Sequence, residues 1–152
     1  MGVLNVTPDS FSDGGDFFSA QSAIKHGLSL IEAGAEIVDI GGESTRPGAD
    51  SLTIDNELNR VLPVIEEIRK RNNEILISID TYKSEVAKQA IECGADIVND
   101  ISGFTMDSKM PTIVSDYGVP IILMHIKGNP KTMQNNPEYD DVIEEINSYF
   151  LN

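Results

Sequence analysis

Glu32-Ala-Gly-Ala-Glu-Ile-Val38 and Glu92-Cys-Gly-Ala-Asp-Ile-Val98 are two copies of one pattern, and between them they decide the fold. Each reads as the end of a helix, a glycine stop and the start of a buried strand. They lie 60 residues apart, room for two strand–helix units of about 30 residues each. Chance reuse of common helix-to-strand chemistry is the competing explanation.

The rest of the chain repeats the alternation. Strands are expected at Gly2–Val6, Glu36–Ile40, Ile75–Ile79, Ile97–Val98 and Val119–Met124. The third is a continuous apolar run apart from Ser78, the pattern of a parallel strand buried on both faces. A first helix capped by Ser19 would carry Ala20, Ile24, Leu28 and Ile31 on one side, ending at Gly34. A second spans Thr53 to Lys70 with Leu58, Val61, Leu62, Ile65 and Ile68 inward, and Pro63 should bend it or mark its true start. A third carries Val86, Ala90 and Ile91 and stops near Gly94. A fourth, capped by Ser108, carries Met110, Ile113, Val114 and Tyr117 and stops at Gly118. A last helix would take Asn136 as cap and Pro137 as its first residue, with Val142, Ile143, Ile146 and Tyr149 or Phe150 inward.

Five such units fit either an open doubly wound sheet or part of an eightfold barrel. No G-x-G-x-x-G joins the first strand to the first helix. Instead, polar or functional residues stand at the strand ends: Asn5, the Gly41–Arg46 stretch, Asp80, Asn99 and Met124-His125. Barrel enzymes place their chemistry at that end of the strands. The expected fold is therefore α/β: a partial (β/α)8 TIM barrel of about five βα units, not closed by this chain alone, with residues 1–152 forming part of a single domain.

Composition narrows the partners. The 152 residues hold 25 acids and 11 bases, a net charge of −14. That argues against nucleic acid and against an anionic membrane surface, while a local Arg and backbone N–H groups can still hold a small anion. The single cysteine, Cys93, rules out an intrachain disulfide and suits a cytoplasmic location. No apolar run approaches the ~20 residues of a membrane span, and no signal peptide is evident.

The loop Asn5-Val-Thr-Pro-Asp-Ser-Phe-Ser-Asp-Gly-Gly15 displays two carboxylates, three hydroxyls and an aromatic. Loops of this length are more often functional than idle, though an Asx- and Ser-rich surface turn has the same composition. Asp80 and Asn99 offer a carboxylate acceptor and a carboxamide that both donates and accepts. Asp80 could equally cap the helix beginning near Lys83, Asn99 could be a turn residue, Met124 could be plain core, and Arg46 could be a solvated surface cation.

These segments resemble the dihydropteroate synthases. The eleven-residue loop matches the family's first motif, and Gly41-Gly-Glu-Ser-Thr-Arg-Pro-Gly48 its second. Ile77-Ser-Ile-Asp-Thr81, Ile97-Val-Asn-Asp-Ile-Ser102, Leu123-Met-His125 and Gly128-x-Pro130-x-Thr132-Met-Gln134 extend the likeness over the whole chain. The resemblance implies condensation of 6-hydroxymethyl-7,8-dihydropterin pyrophosphate with p-aminobenzoate, giving 7,8-dihydropteroate and pyrophosphate, with Mg²⁺ as cofactor. It implies pterin contacts at Asp80, Asn99, Ile101 and Met124, and a metal or pyrophosphate contact at Asn5. It implies catalytic roles for Asp13, Thr45 and Arg46, and a p-aminobenzoate pocket walled by Phe11 and Pro47. His125 is expected to be structural and His26 exposed. Full-length members are longer and are expected to be homodimers. They add an Asp, a Lys and an Arg-x-His motif that have no counterpart in this sequence. An unclosed barrel would expose a sheet edge and inward apolar side chains, so this polypeptide alone is expected to aggregate, stay molten or be completed by another chain. The alternative is a non-catalytic pterin- or folate-binding barrel module of the methyltransferase type, a class that lacks the first motif.

Overall fold

The structure is a computed structural model that describes residues 1–7, 15–44, 51–128, 132–133 and 136–151. Five strands form one parallel sheet: β1 (Gly2–Asn5), β2 (Ile37–Gly41), β3 (Leu76–Asp80), β4 (Ile97–Asp100) and β5 (Ile121–Leu123). Their spatial order is their chain order, with no reversal. Between them run α1 (Gly15–Glu32), α2 (Ile54–Arg71), α3 (Ser84–Cys93) and α4 (Met110–Tyr117), and α5 (Val142–Leu151) follows β5. Helix α1 packs on α2, α2 on α3 and α3 on α4, so these four crossovers share one face. A doubly wound sheet would place helices on both faces and reverse its strand order. One-sided, sequential βα units build a barrel wall instead.

Strand periodicity divides the sheet chemically. Leu4, Val38, Ile40, Ile77, Ile79 and Val98 face the helices and are completely buried, packed with Val61, Val64, Ile65 and Ile68 of α2. The other face carries Val3 at 57% exposure, Leu76 at 44% and Ile122 at 39%. Within the third strand Ile77, Ser78 and Ile79 are all completely buried, so its middle is covered on both faces as its apolar run suggests, and Leu76 at its start is open. Ile77 and Ile79 drive its packing, while Leu76 faces away from the helices.

Local signals explain most boundaries. Thr53 caps α2, accepting from the Asn56 N–H at 3.3 Å. Pro63 stays inside that helix, neither starting nor ending it. Its missing N–H removes one backbone bond, but the apolar stripe from Leu58 to Ile68 buries the turns on either side. Gly94 and Gly118 close α3 and α4 with φ of 117° and 64°, the left-handed turn that an L side chain resists.

Four expectations are corrected. Helix α1 begins at Gly15, so Ser19 lies inside it. A serine cap favours a helix start by only about 1 kcal/mol and does not stop the backbone from being helical ahead of it. Helix α4 starts at Met110 behind Lys109, not at a Ser108 cap. Helix α5 starts at Val142. Asn136 has φ 48°, outside the extended geometry of a cap, and Asp141 does the capping by accepting from the N–H groups of Ile143 and Glu144. No side chain of α5 is buried, and Val142, Ile143 and Phe150 are exposed. The helix docks through Tyr149, whose hydroxyl donates to the Ser102 carbonyl.

Candidate active site at the strand ends

Register places the sequence-predicted residues in one row. Asn5 pairs with Gly41, Gly41 with Asp80, Asp80 with Asn99, and Asn99 with Ile122. Because alternate strand residues share a face, this row lies at the C-terminal strand ends, on the side away from the helices. Met124, two residues beyond Ile122, is 38% exposed and donates its N–H to the Asp100 carbonyl at 3.1 Å. Ile101 is buried at the start of the turn after β4. Phe11, Asp13, Thr45, Arg46 and Pro47 lie outside the described residues.

Asp80 does not cap α3. The Ser84 N–H is taken at 2.8 Å by the Asp107 carboxylate from the next βα loop, and the Lys83 N–H by the Thr81 hydroxyl. Burial works against the Asp107 charge, but N–H donation from Ser84 and Lys109 outweighs it and holds the carboxyl below its usual range. That division of labour leaves the Asp80 carboxylate directed along the strand-end row. Its pKa is pushed up to about 7, first by desolvation and then by the neighbouring charges of Asp39, Glu57, Asp100 and Glu43. A Cβ on Gly41 would sit 3.2 Å from Asp80 Oδ2, so the glycine on β2 lets the Asp80 side chain lie across the neighbouring strand.

Asn99 is oriented by β2. Its Nδ2 donates to Asp39 Oδ2 at 3.1 Å. Asp39 is 5% exposed. Asp100, next in sequence to Asn99, is structural: its carboxylate accepts from the N–H and hydroxyl of Ser102 and from the Phe104 N–H. It fixes the turn that carries Ile101.

Glu43, just after β2, belongs to an ion triad. Lys83 Nζ lies between the carboxylates of Glu43 and Glu57, and Glu57 is 1% exposed. Burial alone would pull the Lys83 ammonium down, and its bonds to Glu43 and Glu57 outweigh that, holding its pKa up. Glu43 also accepts from the Tyr82 hydroxyl at 3.0 Å and the Leu52 N–H at 3.2 Å, so it joins the turn after β2 to the loop following β3 and to the residue ahead of Thr53. Arg60 donates to the Gly42 carbonyl at 2.9 Å. A Cβ on Gly42 would meet Val61 at 2.9 Å, so α2 approaches this turn closely.

Sequence reasoning missed Asp39, Glu43, Glu57 and Lys83. One signal was available: an aspartate inside the apolar strand Ile37-Val-Asp-Ile40 has to be satisfied or functional. His125 makes only ring contacts among the described residues, with Tyr139 and Tyr149, and His26 is exposed. A groove of about 680 Å³ lies between His125–Gly128 and α5, but Asp140, Asp141, Glu144 and Glu145 line it, a poor setting for an anion. No cluster of three or more His, Cys, Asp or Glu side chains that could hold a metal ion occurs among the described residues. None of their helices is long and apolar enough to cross a membrane.

A one-sided parallel wall with a polar row at its strand ends defines a barrel enzyme site, and here its family is identifiable. The model of the pterin-binding enzymes matches residues 1–152, and the chain belongs to that family. Among curated relatives, the dihydropteroate synthases of Synechocystis sp. and of Escherichia coli K12 are each 51% identical over 99% of this chain, covering 52% and 53% of their own lengths. The solved dihydropteroate synthase of Clostridium difficile, determined in the presence of pteroic acid, superposes with a TM-score of 0.89 at 44% identity, over 99% of this chain and 55% of that one. That of Yersinia pestis with a sulfonamide drug gives 0.88 at 43%, over 99% and 54%. The chain thus spans about half the length of the relatives it matches.

Proposed function

We propose that this chain supplies the pterin-binding half of a dihydropteroate synthase active site, whose reaction joins 6-hydroxymethyl-7,8-dihydropterin pyrophosphate to p-aminobenzoate in folate biosynthesis. The observation that carries the reading is the row Asn5–Gly41–Asp80–Asn99, in which Asp80 is spared from capping α3 and Asn99 is held by Asp39. A pterin edge presents ring N–H and amino donors beside a carbonyl. Ionised Asp80 accepts from the donors, and the Asn99 carboxamide meets a donor and an acceptor together. Exposed Met124 and buried Ile101 border the ring as apolar contacts. The identity shared with named synthases supports this over a methyltransferase-type module.

The remaining roles are those the family resemblance implies, and residue chemistry is consistent with them. Thr45 and Arg46 offer a hydroxyl and a guanidinium to the pyrophosphate as its charge grows on departure. The resemblance assigns Asp13 to ordering the first loop or to the developing cation, and Phe11 and Pro47 to the p-aminobenzoate pocket. Mg²⁺ fits only in part. Asn5, an exposed strand-end amide, gives one hard oxygen, so the other ligands would be pyrophosphate oxygens and waters. When bound there the ion would neutralise leaving-group charge. A cytoplasmic setting and a homodimer in the full-length protein belong to the same proposal.

Calorimetric titration tests it. A pterin such as 6-hydroxymethylpterin should bind, and p-aminobenzoate should then bind only with pyrophosphate and Mg²⁺ present. Pterin binding without that dependence selects the methyltransferase-type module, and absence of pterin binding overturns both.

A further inference from the structure

We infer that Asp39 is a positioning residue of the strand-end site: it holds the Asn99 carboxamide in a single orientation, so that Asn99 presents one N–H and its oxygen to the ligand. The inference rests on the proposed pterin reading for its ligand, but its structural basis is independent.

Asp39 is an aspartate in the middle of an otherwise apolar strand, 5% exposed, and none of its recorded bonds serves the backbone or a helix cap. Such burial needs a return. One oxygen, Oδ2, accepts from Asn99 Nδ2 across the width of β3. The amide cannot be turned over, because that would set its carbonyl oxygen against a carboxylate. The bond therefore selects which end of the Asn99 amide is left for a ligand. The other oxygen, Oδ1, is buried without a partner, as is the Ser78 hydroxyl. Ser78 is the register partner of Asp39 on β3, so the two residues that carry these unsatisfied atoms are neighbours on adjacent strands, one step below Asp80. A buried acceptor left open beside a recognition row points to a hydrogen-bond donor arriving with the ligand or its hydration.

The same carboxylate acts on Asp80. After desolvation, the Asp39 charge is the foremost influence raising the Asp80 carboxyl, ahead of Glu57 on α2, Asp100 on β4 and Glu43 after β2. Lys83 is committed to Glu43 and Glu57. Asp39 thus fixes the geometry of one recognition group and biases the protonation of the other.

The test compares Asp39→Asn with Asp39→Ala. Asparagine keeps an acceptor for Asn99 without the charge, and alanine keeps neither. Titrated with 6-hydroxymethylpterin above pH 7.5, Asp39→Ala should bind roughly tenfold more weakly, and Asp39→Asn within about threefold of the parent. Without ligand, carbon-13 NMR should show the Asp80 carboxyl titrating at lower pH in both variants, and the Asn99 side-chain amide protons should move to the shifts of a free asparagine amide in Asp39→Ala alone. Equal pterin affinity in all three proteins, or an Asp80 titration unmoved by either change, overturns the inference. Failure of the parent protein to bind pterin sinks the proposed function instead, and the ligand-free NMR still decides whether Asp39 holds Asn99.

Discussion

Replacing Asp80 with asparagine should make the fold more stable and the site worse, with the gain confined to one pH window. The folded-state pKa of Asp80 stands at about 7 against 3.8 for a free aspartate. The folded protein therefore binds this proton more tightly than the unfolded chain does. Below pH 3.8 the carboxyl is neutral in both states and costs nothing. Between 3.8 and 7 the unfolded chain ionises first, so native stability falls as pH rises, and above 7 the loss is complete. At about 1.4 kcal/mol per pKa unit the ceiling is about 4 kcal/mol. The side chain is partly open to water, so a loss of roughly 1–4 kcal/mol is expected. Asp80→Asn removes the ionisation while keeping the shape. Urea unfolding of both proteins from pH 3.5 to 8 measures the difference, in which every other titrating group cancels to first order. The variant should match the parent near pH 3.5 and exceed it on a plateau above pH 7. Its pterin affinity should fall at least tenfold, since the carboxamide sets an N–H2 donor where one carboxylate oxygen would accept from a pterin donor. A stability difference flat across the whole range would show that burial and the Asp39, Glu57 and Glu43 charges do not act on Asp80 as described.

Gly41→Ala should weaken pterin binding by roughly tenfold with little change in stability, because the new methyl displaces Asp80 Oδ2 rather than backbone; parent-like binding by calorimetry would contradict the close approach. Lys83→Met should cost about 3 kcal/mol in urea unfolding, since it leaves the Glu43 and Glu57 carboxylates facing each other unpaired. Asp107→Ala should cost about 1 kcal/mol and speed hydrogen exchange in the first turn of α3. The Asp107 carboxyl is held below 3.8 in the folded state, so its contribution is present above that pH and vanishes as the solution is acidified through the folded value. Finally, pterin binding should release a proton below pH 7, seen as a buffer-dependent binding enthalpy, because a ligand that donates to Asp80 favours its ionised form.

The architecture was legible because its signals are local. A glycine that closes a helix and a β-branched run that follows it act over a few residues, and Glu32–Val38 and Glu92–Val98 carried both. Asn5, Asp80 and Asn99 were legible for a related reason: a polar residue at the end of an apolar strand has no packing role to explain it. What failed depends on neighbours distant in sequence. The competing reading of Asp80 as a cap for α3 could not be removed from the sequence, because the group that takes the Ser84 N–H, Asp107, lies 23 residues away. Of the inward face assigned to α5, Val142, Ile143 and Phe150 are exposed while Ile146 and Tyr149 are half-buried, since periodicity says which residues share a side but not how much lies against it.

The two faces of the sheet divide stability from function, and the division explains why the acids gather where they do. Leu4, Val38, Ile40, Ile77, Ile79 and Val98 bury their side chains against the helices. The alternate positions hold Asn5, Asp39, Ser78, Asp80 and Asn99, which contribute little packing and in places oppose it. Two carboxylates this close, with one oxygen lacking a partner, would be selected against in a purely structural wall. Their cost is recovered only when donors arrive, and a flat heterocycle edge carrying several N–H groups brings them together. If no such ligand exists, replacing Asp39 and Asp80 together by asparagine should improve the chain in every measurable respect. If one does, the double variant should gain stability above pH 7 and lose pterin binding, and only that paired outcome is consistent with a site rather than a defect.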